Sequence, residues 1–377
     1  MLKVPTAIVI ACLASASALA QEIRVGLTAD FTGPTAAVGA PFKKASELFP
    51  DKIGGLPVKW IVLDDAANVS TAAKNARKFI DEDKVDVVLG SNTIPATLAT
   101  LVAANQSGTP QISLVPVDPP ADQRSWFFNL PQSASMMVSA IVGDMKDRGA
   151  KRVAFIGYND GWGELNWKNF ERLASDAGLQ MVAKELYNRT DTSVTAQALK
   201  LTDAKPDAIF VGASATPATL PHITLKDLGY EGQIYHTHGT ASKAFLEAGG
   251  KTLDGAILPT GPTLVANELP ESNPIKAVAM SFNQLYGARF GSGIPNPFAG
   301  YAWDAMLLLD AAVPDAARKA KPGTPEFRAA LRDSLVSGRE VVGVHAVYKY
   351  TDSDRYGLDE RSRVLVTVKS GTFVLYK

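Results

Sequence analysis

The sequence has little cysteine and no excess of either charge. Its 377 residues include one cysteine, Cys12, and 38 basic side chains against 38 acidic ones. A single cysteine excludes disulfides within the chain, so a hydrophobic core must hold the fold, and a chain of this length can bury one. A formal charge of zero argues against nucleic acid or an anionic membrane surface as a partner.

Long apolar stretches are confined to the N-terminus. Residues 4–19 are apolar and small, Lys3 precedes them, and Ala18-Leu19-Ala20 fits a signal-peptidase site. We therefore predict a signal peptide over residues 1–20 and an exported mature chain from Gln21. Anchoring as a lipoprotein at Cys12 is the alternative, because residues 9–12 also fit a lipoprotein cleavage box. No later stretch has the roughly 18 apolar residues that a membrane span needs.

Sequence motifs of the common enzyme classes are also missing. The chain has no G-x-S-x-G, no H-E-x-x-H and no phosphate-loop G-x-x-x-x-G-K. Asp64 and Asp65 are adjacent, and adjacent side chains on a strand point to opposite sides, so they indicate a polar strand end or a helix cap rather than an acid–base pair. We expect a binding protein without a cofactor, and keep a secreted α/β hydrolase as a remote alternative.

What the sequence does have is a regular alternation of strands and helices. From Glu22 onward, short β-branched runs alternate with amphipathic helices, which is typical of a parallel sheet covered on both faces. After a helix predicted at 135–148, a second such series begins with a strand at 152–158. Three helices and a β-rich tail from residue 341 follow. The pattern predicts an α/β protein with two Rossmann-like lobes, each built on a parallel central sheet.

Two of the four histidines follow one predicted strand. The strand covers 233–235, and strand alternation places His236 and His238 on the same side, before a helix that starts near Ser242. An H-x-H metal pair, a ligand-binding loop and two ordinary surface histidines are the three interpretations. Zinc needs at least a third ligand close by, and the spacing of the other two histidines predicts none, so we expect no metal.

Several loops, in their order and spacing, resemble one transport family. The residues that carry the resemblance are Thr32-Gly33-Pro34-Thr35, Gly90-Ser91-Asn92-Thr93 and Tyr158-Asn159-Asp160-Gly161-Trp162-Gly163. They resemble the periplasmic substrate-binding components of ABC importers in the leucine/isoleucine/valine-binding class, over the whole mature chain. Within that class, residues 235–239, 261–266 and 269–274 look most like the branch that captures aromatic carboxylates.

The resemblance implies a type I periplasmic binding protein fold. Two lobes are then joined by three crossovers, with the ligand enclosed between them. We expect residues 21–141 and 262–342 to form lobe 1, and residues 142–261 and 343–377 to form lobe 2. It also implies a monomer in the periplasm whose partners are a small carboxylate ligand and the permease subunits of an ABC transporter, with no nucleic acid.

In lobe 1, the loop Ser91-Asn92-Thr93 precedes a helix whose first turn holds Pro95. Backbone N–H groups and hydroxyls at a helix N-terminus suit a carboxylate, and the corresponding family loop holds the ligand carboxylate. Simple N-capping by Thr93 is the alternative.

Two further lobe 1 loops carry predicted ligand-binding residues. Leu114, Val115 and Val117 match the next ligand loop of the family. Val38 stands at the position where family members that bind branched-chain amino acids tend to have an aromatic residue, which leaves room for a larger or flatter ligand; the alternative is that Phe42 from the next turn fills this space. Phe298 and Tyr301 are expected at the pocket edge.

In lobe 2, Trp162 matches a family aromatic residue that closes over the ligand, and an indole can also donate a hydrogen bond. Packing between the two lobes is the alternative role for Trp162. Ser214 ends the next strand, where amino-acid binders often present a tyrosine. His238 and Gly239 stand where those binders carry an acid that pairs with the ligand ammonium, yet no Asp or Glu lies between residues 233 and 246. Asp160 could supply that charge if it reaches the cleft.

The ligand expected from these features is an aromatic monocarboxylate of the benzoate or phenylpropanoid type. A branched-chain or other apolar amino acid is the alternative. His238 is the histidine expected to contact the ligand, as a neutral donor or, if protonated, as a partner for an anion, and His236 is expected to be structural.

Overall fold

The computed structural model describes residues 22–291 and 295–376. The predicted signal peptide, the alternative lipid anchor at Cys12 and the predicted mature N-terminus at Gln21 lie outside these residues. Within them, none of the helices combines the length and the apolar character required to cross a membrane.

The first sheet is built by the N-terminal third of the chain. Its strands and the helices between them are β1 (Ile23–Ala29), α1 (Ala36–Ser46), β2 (Lys52–Ile53), β3 (Leu56–Asp64), α2 (Val69–Arg77), β4 (Val87–Leu89), α3 (Ile94–Ser107), β5 (Gln111–Ser113) and β6 (Phe127–Asn129). Helix α4 (Ala134–Asp147) follows the last of these strands. The strand order is β2-β3-β1-β4-β5-β6, parallel except for the short β2, which pairs antiparallel with β3.

The second sheet takes its strands from two separate parts of the chain. The elements up to its fifth strand are β7 (Arg152–Tyr158), α5 (Gly161–Asp176), β8 (Gln180–Tyr187), α6 (Thr195–Asp203), β9 (Ala208–Gly212), α7 (Thr219–Asp227), β10 (Gln233–His236), α8 (Lys243–Gly249) and β11 (Ile257–Thr260). The remaining elements are α9 (Pro274–Phe290), α10 (Pro297–Lys319), α11 (Pro325–Leu335), β12 (Val341–Val342), β13 (Val347–Tyr348), β14 (Val364–Lys369) and β15 (Thr372–Leu375).

The order in the second sheet is β15-β14-β11-β10-β9-β7-β8, in which β14 and β15 are the antiparallel strands. In each sheet the strand order reverses beside the first strand, β1 or β7. Loops that leave neighbouring strands in opposite directions open a crevice at the carboxyl edge, which is where open α/β sheets bind ligands. The predicted fold class, two α/β lobes with mainly parallel sheets, is confirmed.

The hydrophobic clusters place two segments in the lobe opposite to the one expected. Val138 and Ile141 of α4 pack with the second-sheet residues Phe155 and Phe210. Tyr348 packs in the cluster of the first sheet, together with residues of α1 and α10. These contacts correct the expected boundaries at 141/142 and 342/343: the chain changes lobe before α4 and after β13. An apolar helix face does not specify which sheet it covers, so sequence pattern alone placed both boundaries in error.

The three crossovers meet around one aromatic stack. Tyr301 stacks on His345, with ring centroids 3.9 Å apart and an interplanar angle of 19°. Gln132, in the first crossover, accepts a hydrogen bond from the Tyr301 hydroxyl (2.5 Å) and donates to the carbonyl of Ser362, in the third. In the second crossover, a Cβ at Gly261 would lie 1.9 Å from His345 Nδ1. The stack therefore contacts the first and second crossovers directly and is linked to the third through Gln132.

Candidate functional site

A cavity of about 250 Å³ lies between the carboxyl edges of the two sheets. Nine of the eleven residues predicted to contact a ligand line it: Val38, Asn92, Thr93, Leu114, Val115, Trp162, Ser214, His238 and Gly239. Phe298 and Tyr301 line it too. The structure thus brings together loops that lie far apart in the chain, although contact with a ligand stays a prediction.

The lobe 1 wall of the cavity presents hydrogen-bond donors at the start of α3. Thr93 is the N-cap residue, but its side chain makes no capping hydrogen bond, so the capping alternative is wrong. Asn92 accepts the backbone N–H of Asp30 through Oδ1 (2.9 Å), and its buried Nδ2 has no partner within the described residues. The buried Thr35 hydroxyl is unpartnered in the same way. Donors at a helix N-terminus suit a carboxylate.

Ser91 and Val117, the other two predicted residues, do not line the cavity. Gly90 has φ +119, and a Cβ there would lie 1.9 Å from the carbonyl oxygen of Thr28. The loop therefore turns Ser91 inward, where its hydroxyl donates to Asp65 Oδ2 (2.8 Å). Val117 donates its N–H to the side chain of Asn129, which returns a hydrogen bond to its carbonyl, both at 2.9 Å. Their expected place in the cavity is corrected.

Asp30 lies behind this wall as a neutral acid. Burial raises the pKa of its carboxyl group to about 8, so it is mostly protonated at neutral pH. It is fully buried and does not line the cavity. Asp30 therefore supplies no counter-charge to a ligand.

The lobe 2 wall is formed by Trp162 and His238. Trp162 lies in the first turn of α5, and its buried Nε1 has no hydrogen-bond partner in the part of the chain that the structure describes. The His238 ring meets the indole edge-on, with ring centroids 5.3 Å apart, and its Nδ1 is likewise unpartnered. A Cβ at Gly239 would lie 2.6 Å from Ser214 Cβ, so glycine is needed for this close approach.

Burial lowers the pKa of His238 to about 4, so the imidazole is neutral at neutral pH. A neutral imidazole offers one donor and one acceptor. At neutral pH His238 is therefore available as a neutral hydrogen-bonding group, and pairing with an anion would require acid conditions.

His236 and His238, which flank Thr237, lie in different environments. Strand β10 ends at His236, and Thr237 caps a 3₁₀ turn over His238–Thr240, so His236 and His238 do not share a strand face as expected. His236 is fully buried, with Nε2 2.8 Å from His222 Nδ1 and the two rings stacked. Over residues 22–291 and 295–376, no group of three or more His, Cys, Asp or Glu side chains could hold a metal ion.

Sequence reasoning missed Arg189, which lines the cavity from the turn after β8. Its Nε lies 2.6 Å from Asp160 Oδ2, its Nη1 donates to Ser214 Oγ (3.2 Å), and its guanidinium lies 4.1 Å from the ring centre of Tyr158. The available signal was its position immediately after a strand end, where site residues of α/β sheets collect.

The chain is similar to known proteins along most of its length. A sequence model of the periplasmic binding protein family matches residues 22–353. The chain belongs to this family. It is therefore a ligand-binding receptor of the type that serves ABC transporters, and the family is not one of enzymes.

Two relatives illustrate the range of similarity within the periplasmic binding proteins. An extracellular ligand-binding receptor from Rhodopseudomonas palustris HaA2 is 41% identical, with a TM-score of 0.92, over 94% of this chain and 100% of the other. The Leu/Ile/Val-binding protein BraC3 of Rhizobium johnstonii is 24% identical over 99% of each chain.

A third protein has the same fold. It is the branched-chain amino acid transporter substrate binding protein from Streptococcus pneumoniae in complex with isoleucine, with 20% identity and a TM-score of 0.78, over 94% of this chain and 98% of the other.

Proposed function

We propose that this periplasmic binding protein captures an aromatic monocarboxylate in the periplasm and presents it, as a monomer, to the permease of an ABC importer. The observation that carries the proposal is the charge of the cavity wall. Among the described lining residues, Asp160 is the one acid, and Arg189 already holds it in an ion pair. An α-ammonium group would therefore enter a largely buried site without a free counter-ion, which is costly.

The lobe 1 wall supports the placement of the ligand carboxylate. Asn92 Nδ2 and the Thr35 hydroxyl are buried donors that have no partner among the described residues, and both adjoin the N-terminal end of a helix. Leaving a buried donor unpaired costs about 1–3 kcal/mol, and a carboxylate oxygen recovers that cost. Hydrogen bonds to an ionised acceptor are also stronger than those to a neutral one.

The remaining wall supports an aromatic body. Val38, Ile94, Leu114, Phe298 and Tyr301 give the cavity apolar sides between its polar ends. Val38 has a short side chain, and the rings of Phe298 and Tyr301 line the same cavity. Contact between an aromatic ligand and one of these rings would add about 0.5–1.5 kcal/mol to the binding free energy beyond the contribution of the buried area.

Closure follows from the distribution of these groups over two lobes. Lobe 1 holds the carboxylate, whereas Trp162 and His238 reach the ligand from lobe 2. A ligand that contacts both walls binds the closed form more tightly than the open form and shifts the population toward closure. The closed form is then the one that the permease would recognise.

A branched-chain amino acid is the second candidate. It is favoured by the 24% identical relative, which is named a Leu/Ile/Val-binding protein. This candidate requires that Asp160 leave Arg189 or share its charge with an ammonium group.

A thermal-shift panel tests the two candidates. Benzoate and 3-phenylpropanoate are compared with leucine and valine, each at several hundred micromolar. A ligand at one hundred times its Kd stabilises the protein by about 2.7 kcal/mol, which a melting curve resolves easily. Stabilisation by leucine or valine with none by the aromatic acids would refute the proposal. Recovery of the bound acid chemically unchanged would exclude the hydrolase alternative.

A further inference from the structure

Arg189 is fixed on its own lobe by three contacts. It pairs with Asp160 at 2.6 Å, donates to Ser214 Oγ at 3.2 Å and lies 4.1 Å from the ring centre of Tyr158. Its side chain keeps 23% of its exposure and that of Asp160 keeps 32%, so the pair faces the cavity without being fully buried. A guanidinium held by an acid, a hydroxyl and an aromatic face is well suited to keep one orientation.

The second oxygen of Asp160 is also engaged. Oδ1 accepts the backbone N–H groups of Trp162 (2.9 Å) and Gly163 (3.2 Å) and so caps α5. One oxygen of the carboxylate thus serves the helix and the other serves Arg189. Without Arg189, Oδ2 would become an anionic acceptor that faces the cavity.

We propose that Arg189 sets the ligand class: by neutralising Asp160, it makes the cavity reject acids that carry an α-ammonium group. The inference rests on the proposed capture of carboxylates without such a group. It adds a second source of selectivity. The absence of an acid from the loop at His238 is the first, and the ion pair between Arg189 and Asp160 in the lobe 2 wall is the second. Removing the guanidinium converts Asp160 into the counter-ion that an amino acid needs.

The test uses Arg189→Met, which keeps an unbranched side chain over Tyr158 and removes the charge. Calorimetric titration with 3-phenylpropanoate and L-phenylalanine, which differ by the ammonium group alone, gives the ratio of the two Kd values. We expect the ratio to move at least tenfold toward the amino acid in Arg189→Met. Arg189→Lys, which retains the charge, keeps the wild-type ratio within about threefold.

A double variant separates this role from a purely structural one. Asn caps helices about as well as Asp, so Asp160→Asn preserves the start of α5. In Arg189→Met with Asp160→Asn no acid remains to meet an ammonium, and the preference for 3-phenylpropanoate returns. A general loosening of the site would instead leave the double variant as unselective as the single one. If Arg189→Met does not fold, Arg189→Gln provides the uncharged comparison, with a shift in the same direction.

The outcomes distinguish the two proposals. If the wild-type protein prefers L-phenylalanine, the proposed function itself is wrong, and no variant is needed to see it. If the wild-type protein prefers 3-phenylpropanoate and the uncharged variants keep its ratio, the proposed function stands and the role of Arg189 is overturned.

Discussion

Replacing Trp162 with phenylalanine separates ligand binding from simple packing. The substitution keeps an aromatic ring at the first turn of α5 and removes the indole N–H, which is buried without a partner in the described residues. In the free protein that N–H costs about 1–3 kcal/mol, and a ligand oxygen that accepts from it recovers the cost on binding. Trp162→Phe should therefore weaken binding of an aromatic acid by about 1–3 kcal/mol, or roughly 5- to 150-fold in Kd.

The stability of the free protein should respond differently. Loss of the unsatisfied donor is favourable, and loss of part of the indole is unfavourable, so the two contributions oppose each other. We expect the free energy of unfolding to change by no more than about 1 kcal/mol. Calorimetric titration and urea unfolding of the free protein measure the two quantities. Unchanged affinity together with a large loss of stability would show that Trp162 only packs the lobes together, and would refute this account of the lobe 2 wall.

Five further substitutions probe the other groups. Asn92→Asp keeps the acceptor for the Asp30 N–H but places a negative charge opposite the ligand carboxylate. Because juxtaposed like charges cost several kcal/mol, calorimetric titration should show the affinity falling by more than about one hundredfold. Ser91→Ala should cost about 1–3 kcal/mol in urea unfolding, through the lost bond to a buried acid, while Kd changes less than threefold. In the same titration His238→Ala should weaken binding far more than His236→Ala, and equal effects would mean that the wrong histidine was assigned. In the folded state the pKa of Asp30 is raised to about 8, so its contribution to stability is full below about pH 4 and is lost as pH rises toward 8. The free energy of unfolding of Asp30→Asn should therefore increase relative to that of the wild type by up to about 1.4 kcal/mol per pH unit across that window. Urea unfolding of both proteins at pH 5 and pH 8 measures this difference.

Periodicity predicted the fold well because both lobes repeat the same local pattern. Strand β7 has the expected bounds, and α4 lies within one residue of the helix predicted at 135–148. Helix α10 has a feature that local pattern does not predict, because it continues through Pro314 to Lys319. Proline normally stops a helix, but packing against the first-sheet core outweighs that tendency here.

The site was harder to predict, because it depends on where each side chain points. Loop order located the cavity wall at Asn92 and Trp162, whereas the turn of a glycine with positive φ sent Ser91 inward. The pairing of Asp160 with Arg189, across 29 residues of sequence, has no local signature at all. The sequence left open whether Asp160 could pair with a ligand ammonium group. The distance of 2.6 Å between Asp160 and Arg189 bears on that question, and the sequence does not contain it.

The central claim is that the cavity favours an acid without an ammonium group. Its most direct test is calorimetric titration of the wild-type protein with two matched pairs of ligands: 3-phenylpropanoate against L-phenylalanine, and 4-methylpentanoate against L-leucine. Burying an ammonium without a free counter-ion costs several kcal/mol, so each acid should bind at least about one hundredfold more tightly than its amino acid. The aromatic acid should also bind more tightly than the aliphatic one. Equal or tighter binding of L-leucine or L-phenylalanine would contradict the account.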